Sequence, residues 1–149
     1  MAADFGPARA HIDVDAFLHP GGMPGKIAEW CRSNGQPEPQ SHAEFTRTIL
    51  DSLAVRYKSV LDSLERILGR RLEVIHIVGG GSRNNVLNQI VADTTGRTVV
   101  AGPTEATALG NILVQAIGAG VVRDLEEARA VVRASCHPEV FAPAGATAA

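Results

Sequence analysis

The apolar residues of this chain recur with two different spacings, and the spacings predict an alternation of helices and strands. After residue 41, large apolar side chains stand three and four positions apart, which is the spacing of one helix face: Leu50, Leu53, Tyr57, Val60, Leu64 and Ile67. Ser41 and Glu44 form a capping box at the start of this segment, and Gly69 can end it. The pattern predicts an amphipathic helix of about seven turns.

Two short runs rich in β-branched residues predict strands. Residues 73–78 are almost continuously apolar, and residues 98–101 form a second run after a segment of helical spacing that ends at Gly96. A continuous apolar run is typical of a parallel strand that is buried on both faces. Strand, helix and strand in succession predict a parallel pair with a right-handed crossover.

Three further helices are predicted around this unit. One begins at Pro24, one is capped by Thr104 and runs to about residue 117, and one is capped by Asp124. The second is expected to bury an apolar face made of Ala108, Leu109, Ile112, Leu113 and Ala116. The predicted fold class is α/β with a short parallel sheet, in the order helix, helix, β, α, β, α, α.

The predicted sheet is incomplete, because two strands do not form a stable sheet on their own. We expect its first strands to come from another chain or from polypeptide that precedes residue 1. Residues 1–22 are predicted to be an irregular segment, residues 23–142 to form the partial domain, and residues 143–149 to be a flexible tail.

Composition narrows the class of partner. The 149 residues are 45% hydrophobic and 20% charged, with a net charge of −2, which gives no reason to expect nucleic acid or an anionic membrane as a partner. No apolar run approaches the roughly 18–20 residues of a membrane span. The two cysteines, Cys31 and Cys136, fit neither a disulfide scaffold nor a metal knuckle. We therefore expect a cytoplasmic protein.

The main candidate for chemistry is the glycine run after the first strand. A strand that ends at Gly79, Gly80 and Gly81 and is followed at once by a helix can surround an anion with free N–H groups. A tight structural turn is the alternative, although three glycines are unnecessary for a turn and each costs backbone entropy. The run is not a P-loop, because no Lys-Ser or Lys-Thr pair follows. It also departs from the dinucleotide fingerprint, because Asn84 replaces the third glycine and no acid ends the second strand.

The polar residues beside the glycine run have two interpretations each. Of Asn84 and Asn85, one caps the helix and the other could bond a nucleotide with its amide. Arg83 could contact phosphate or belong to a solvated surface, and Glu105 could face a ligand or simply favour a helix N-terminus. Two other residues are interpreted as packed or structural, namely His76 and Asp93. No paired carboxylates stand at the strand ends, so no catalytic centre is predicted from the residues themselves.

These motifs occur together in one known family. The string VIHIVGGGSRNNVLNQIVADTTGRTVVAGPTEATALGNILVQAIGAG resembles the carboxyl-terminal region of the FGGY-family carbohydrate kinases, and the resemblance extends from about residue 3 to residue 142. The stretches FLHPGGMPGKIAEWCRSNGQPEP and RTILDSLAVRYKSVLDSLERILGR are most similar to the rhamnulokinase subfamily.

The resemblance implies a fold and an activity. Such kinases are similar to actin and hexokinase, with two ribonuclease-H-like domains around a cleft, and this chain would hold part of the second domain. They transfer the γ-phosphoryl group of Mg·ATP to a sugar hydroxyl, and rhamnulokinases act on L-rhamnulose to give L-rhamnulose 1-phosphate. The resemblance places Gly80 beside the nucleotide phosphates, with Gly79 and Gly81 shaping the turn, and makes Asn84 a nucleotide contact.

The resemblance also implies what this chain lacks. The catalytic aspartate of the family, its amino-terminal phosphate loop and its sugar-binding residues are expected to precede residue 1, and Mg²⁺ is expected to be held mainly by residues outside this chain. We therefore expect the chain to bind ATP or ADP and to be inactive as a kinase by itself. A non-catalytic remnant that binds a nucleotide or a protein partner is the alternative.

Overall fold

A computed structural model describes residues 11–12 and 17–145 of the chain. These residues form five helices and three strands: α1 Met23–Ser33, α2 His42–Leu68, β1 Val74–Ile77, α3 Asn85–Thr95, β2 Thr98–Ala101, α4 Ala106–Gly118, α5 Leu125–Ser135 and β3 Glu139–Phe141. The elements follow the predicted α/β order as far as α5. The predicted irregular segment 1–22 and flexible tail 143–149 lie largely outside the described residues.

Two of the helices, α2 and α5, begin where their capping residues indicate. The Ser41 hydroxyl accepts from the N–H of Glu44 at 3.2 Å at the start of α2, and Asp124 accepts from the N–H of Glu127 at 2.9 Å at the start of α5. Gly69 ends α2 in the left-handed region with a φ of 63°. Each of the two side-chain caps satisfies a backbone N–H group that the first helical turn leaves unpaired.

The sheet has the order β1-β2-β3. β1 and β2 pair in parallel, with Ile77 beside Ala101, as the sequence predicts. β3 pairs with the other edge of β2 in the antiparallel sense, and the sequence analysis did not predict it. The third strand therefore comes from a segment of only three residues near the end of the chain, which has too few residues for a recognisable alternation.

The core lies between one face of the sheet and the helix pair α2 and α3. Its fully buried members join all three layers: Ala54 of α2, Val91 and Ala92 of α3, and Val99 of β2. A smaller cluster joins α1 to the residues that precede it, with Ile27 and Cys31 buried against Ile12. Burial of these apolar side chains is the main stabilising term of the fold.

Two predictions about burial in the sheet are wrong. β1 is not buried on both faces, because Val74 and His76 are exposed while Ile75 and Ile77 contact the core. His76 is therefore not a packed core residue. The helices α2 and α3 pack against one face of the sheet, and on the opposite face His76 and Val140 are exposed.

The prediction for α4 is also wrong in two respects. The helix begins at Ala106 with Glu105 at the N-cap, and no side chain caps it, so Thr104 is not the capping residue. The Thr104 hydroxyl instead lies 3.4 Å from the hydroxyl of Ser82. No residue of α4 is fully buried, because the helix packs against α5 rather than against the sheet core.

An apolar stripe along α2 is left uncovered. Tyr57, Val60, Leu64 and Ile67 have the helical spacing predicted for a buried face, yet between 43% and 80% of each is exposed. Within the described residues, β1 pairs only with β2 and has a free outer edge. No helix in this part of the chain, α2 included, is long and apolar enough to cross a bilayer.

Candidate functional site

The glycine run forms the connection between β1 and α3. Gly79 has φ 78° and ψ −163°, a conformation that is essentially restricted to glycine. Gly80–Arg83 then makes one turn of 3₁₀ helix. The N–H and the hydroxyl of Ser82 both donate to the Gly79 carbonyl, at 3.0 and 2.7 Å. The turn is therefore bonded internally and needs glycine at its first position.

Gly80 faces open space. A Cβ built on Gly80 would meet no protein atom within 4 Å, and a Cβ on Gly81 would meet only Ile77 Cγ2, at 4.0 Å. Nothing in the described chain excludes a side chain at residue 80. A glycine at this position leaves room for a group from outside the chain to approach the backbone.

The glycine turn is tied to the loop that follows β2. The Gly79 N–H donates to the Pro103 carbonyl at 3.1 Å, and the Gly102 N–H donates to the Ile77 carbonyl at 2.8 Å. Both loops leave the carboxyl ends of the parallel strands, which is the edge where ligands bind in open α/β sheets. The two bonds hold these loops together as one continuous surface at that edge of the sheet.

Two asparagines support the turn from the α3 side. Asn84 Oδ1 accepts from the N–H of Leu87 at 3.0 Å and so caps α3, which leaves its Nδ2 group free to donate. Asn88 is fully buried, and its Nδ2 group donates to the Ser82 carbonyl at 2.9 Å. The capping interpretation therefore applies to Asn84, and Asn85 has its exposed amide beside the turn.

A cleft of about 440 Å³ opens beside the turn, within the size range of about 300–1,000 Å³ that small-molecule sites occupy. One side consists of Ser82, Arg83 and Asn85, and residues 101–104 form the floor. The other side consists of residues 136–139, which we call the C-terminal wall. The three glycines themselves do not line the cleft, but the 3₁₀ turn that begins at Gly80 leads directly into it.

The cleft carries charge of both signs. Arg83 and Glu139 are exposed at its rim, and neither makes an ion pair with another described residue. Among residues 11–12 and 17–145, no group of three or more His, Cys, Asp or Glu side chains could hold a metal ion. The arrangement suits a ligand with anionic and neutral polar parts rather than a bare cation.

The structure brings the predicted site residues onto one connection, and their binding of a nucleotide stays a prediction. Gly79, Gly80, Gly81 and Asn84 all lie between β1 and α3. Asp93 is structural as expected, because its carboxylate accepts from the N–H of Ala144 at 2.6 Å. The sequence analysis missed Asn88 and the C-terminal wall. Asn88 could have been noticed as a polar residue on the same helix face as the apolar Val91 and Ala92, which follow it by three and four positions.

Comparison with known proteins identifies the family. A model of the FGGY family of carbohydrate kinases, C-terminal domain, matches residues 2–119. The chain belongs to this family. Membership implies the actin- and hexokinase-like fold, of which the described residues form an α/β unit with a three-stranded sheet.

Several relatives of this FGGY C-terminal domain are named rhamnulokinases. A rhamnulokinase of Bacillus subtilis is 45% identical over 133 residues, which is 89% of this chain and 27% of the relative. Rhamnulokinases of Bacteroides thetaiotaomicron and Klebsiella pneumoniae are 42% and 44% identical, over 88% and 87% of this chain and 27% and 26% of their own lengths. The chain spans about a quarter of the length of these relatives.

Proposed function

We propose that this FGGY domain forms one wall of the ATP cleft of a sugar kinase that phosphorylates L-rhamnulose to L-rhamnulose 1-phosphate. The observation that carries the proposal is the open backbone at Gly80, at the carboxyl end of β1, in a chain whose relatives are named rhamnulokinases. An ATP-dependent kinase needs such an open backbone surface for the phosphates.

Each residue of the turn has a separate role in this proposal. Gly79 sets the direction of the chain, and Gly80 admits the phosphate group to within contact distance of the backbone. Asn84 holds the first turn of α3 through its carbonyl oxygen and offers its Nδ2 hydrogens to the nucleotide. Asn88 keeps the Ser82 carbonyl paired, so the turn is rigid before a ligand arrives.

The chemistry of phosphoryl transfer requires more than this surface. A base or positioning carboxylate must face the acceptor hydroxyl, and Mg²⁺ must neutralise the phosphates. The described residues offer no group that could hold the metal, so we assign no step on this chain to Mg²⁺. We infer that the catalytic aspartate and the metal and sugar ligands belong to polypeptide that this chain does not contain, and that the chain alone has no kinase activity.

The nucleotide part of the proposal is tested by calorimetric titration of the 149-residue chain with ATP and ADP. We expect binding in the wild type and its loss in Gly80→Val. Gly25→Val is the matched control, because a Cβ at Gly25 also meets no atom within 4 Å but lies in α1. Equal affinity for ATP in the wild type and in Gly80→Val would remove the glycine turn from the site.

The kinase part is tested by a coupled assay with ATP and L-rhamnulose. The chain alone should give no turnover. Co-expression with the remaining three quarters of a rhamnulokinase should restore turnover if the two parts assemble. Robust activity of the chain alone would contradict our inference that the catalytic groups lie elsewhere.

A second candidate function is a binding module without chemistry. It is favoured by the apolar stripe on α2 and the free edge of β1, which together could receive a protein partner. No binding of ATP, together with a stable folded monomer, would favour this function over the kinase.

A further inference from the structure

The C-terminal wall of the cleft is a fixed part of the fold. The pairing of β3 with β2 places Glu139 opposite Ala101 at the floor of the cleft. Pro138 packs directly on Gly102, since a Cβ at Gly102 would lie 3.5 Å from the Cα of Pro138. Gly102 also has a φ of 123°, a backbone conformation that favours glycine, whereas a Cβ there would only touch Pro138 at an ordinary contact distance.

The segment that follows the wall is fastened to α3. Gln89 Nε2 donates to the Ala142 carbonyl at 2.9 Å, and the Ala144 N–H donates to the Asp93 carboxylate. Gln89 Nε2 also donates to the same carboxylate oxygen, at 2.9 Å. The bonds to Ala142 and Ala144 join positions more than 50 residues apart, and they keep residues 136–139 beside the glycine turn. A ligand in the cleft therefore meets a preformed surface.

The side chains of the wall suit a nucleoside better than a phosphate. The exposed Glu139 carboxylate repels phosphate and accepts hydrogen bonds from hydroxyl and amino groups. The exposed His137 offers a flat ring on which a base can stack. Pro103 and Pro138 add apolar surface between them.

The distance between Gly80 and the near side of the cleft, at Arg83, agrees with the separation of phosphate and nucleoside within one nucleotide. The 3₁₀ turn Gly80–Arg83 rises about 2 Å per residue, so Gly80 and Arg83 stand roughly 6 Å apart along its axis. Phosphates at Gly80 would thus leave the ribose and base of the same molecule at Arg83 and Asn85, where the cleft begins.

We propose that this cleft holds the ribose and base of the nucleotide and that His137 and Glu139 of the C-terminal wall determine its selectivity. Glu139 accepts hydrogen bonds from donors of the ribose or base, and His137 stacks on the base. The proposal rests on the proposed function, because it takes the phosphates of ATP to lie at Gly80.

The test compares ATP with inorganic tripolyphosphate, which has the phosphates but no nucleoside, in calorimetric titrations of the 149-residue chain. Glu139→Gln and His137→Ala should each weaken ATP binding about tenfold and leave tripolyphosphate binding unchanged. Gly80→Val should weaken the binding of both ATP and tripolyphosphate. Glu126→Gln, an exposed carboxylate of α5 outside the cleft, should change neither.

The outcomes separate the two proposals. If the wild type binds ATP but both wall variants bind it as tightly, the inference about the wall is overturned and the proposed function stands. If the wild type binds neither ligand, both are overturned. Thermal unfolding of each variant, followed by circular dichroism, shows whether the variant is folded. If one of the two wall variants does not fold, the other still tests the proposal.

Discussion

The Glu65 carboxylate accepts two hydrogen bonds from Nη2 of Arg97, at 2.9 and 3.2 Å, across 32 positions of sequence. Arg97 Nε also donates to the Leu72 carbonyl at 2.7 Å, and the Leu72 N–H donates to Glu65 at 2.8 Å. The three residues join the end of α2, the start of β1 and the start of β2. This cluster fixes the position of the strand that leads into the glycine turn.

The Glu65 cluster should make stability depend on acid pH. The Leu72 N–H and the Arg97 guanidinium lower the pKa of Glu65 from its ordinary value. A carboxyl group whose pKa is lowered by folding stabilises the protein above its unfolded pKa, and this contribution is lost as pH falls through the folded pKa. We expect the unfolding temperature to fall below about pH 4–5, and less steeply in Glu65→Gln.

Circular dichroism melts at a series of pH values test this prediction, with Glu126→Gln as the control. In Glu65→Gln the pH dependence of the unfolding temperature should be reduced rather than abolished. Other carboxylates contribute to it, because Arg32 lowers the pKa of Glu29 and the Arg123 N–H lowers the pKa of Glu127. An identical pH dependence in the wild type and in Glu65→Gln would show that the cluster contributes nothing.

Substitutions of Asn84 should separate its structural role from its proposed role in binding. Asn84→Ala removes the cap of α3 and should lower the free energy of unfolding by about 1 kcal/mol. Asn84→Asp keeps an oxygen for the Leu87 N–H and should retain stability, but it loses the amide donor and adds negative charge near the phosphates. In Asn84→Asp, urea denaturation should therefore show unchanged stability, while titration with ATP should show weaker binding. Unchanged ATP affinity in this variant would exclude Asn84 from the site.

Alanine at two adjacent glycines should have very different effects on stability. Gly79→Ala places a side chain at φ 78° and ψ −163°, and should cost about 1–3 kcal/mol. The cost comes from the backbone, since the nearest atom to the new Cβ is the Thr104 carbonyl oxygen at 4.0 Å. Gly80→Ala meets open space and should change stability by less than about 0.5 kcal/mol. Equal losses of unfolding free energy in the two variants, measured by urea denaturation, would contradict this account of the turn.

The apolar stripe on α2 and the free edge of β1 should cause self-association of the chain. Such surfaces are unfavourable in water and pair with copies of themselves. Sedimentation velocity at increasing concentration should show growing oligomers, and Ile67→Lys should reduce them because Ile67 is 80% exposed in the stripe. Ser59→Lys adds the same charge at an exposed polar position and should have little effect. A monomer with a sharp, cooperative melt at all concentrations would be the contrary result.

Local features of this chain were predictable because they depend on neighbouring residues. Ser41 and Asp124 cap their helices, Gly69 and Gly96 end theirs, and β2 spans the predicted residues. The glycine turn was predictable for the same reason, since its chemistry lies within one short run. The family resemblance rested on that run and its continuation, and the match over residues 2–119 confirms it.

Contacts between distant segments decided the rest. Periodicity cannot tell whether an apolar face has a partner, so it wrongly predicted burial for α4, for both faces of β1 and for His76. β3 exists because β2 has an edge to which it can bond, and a strand of three residues has no pattern of its own. The sequence by itself thus determined the helix caps, the glycine turn and the family. Only the tertiary structure decided which faces are covered and which residues stand opposite the turn, because burial and pairing depend on segments that are far apart in the chain.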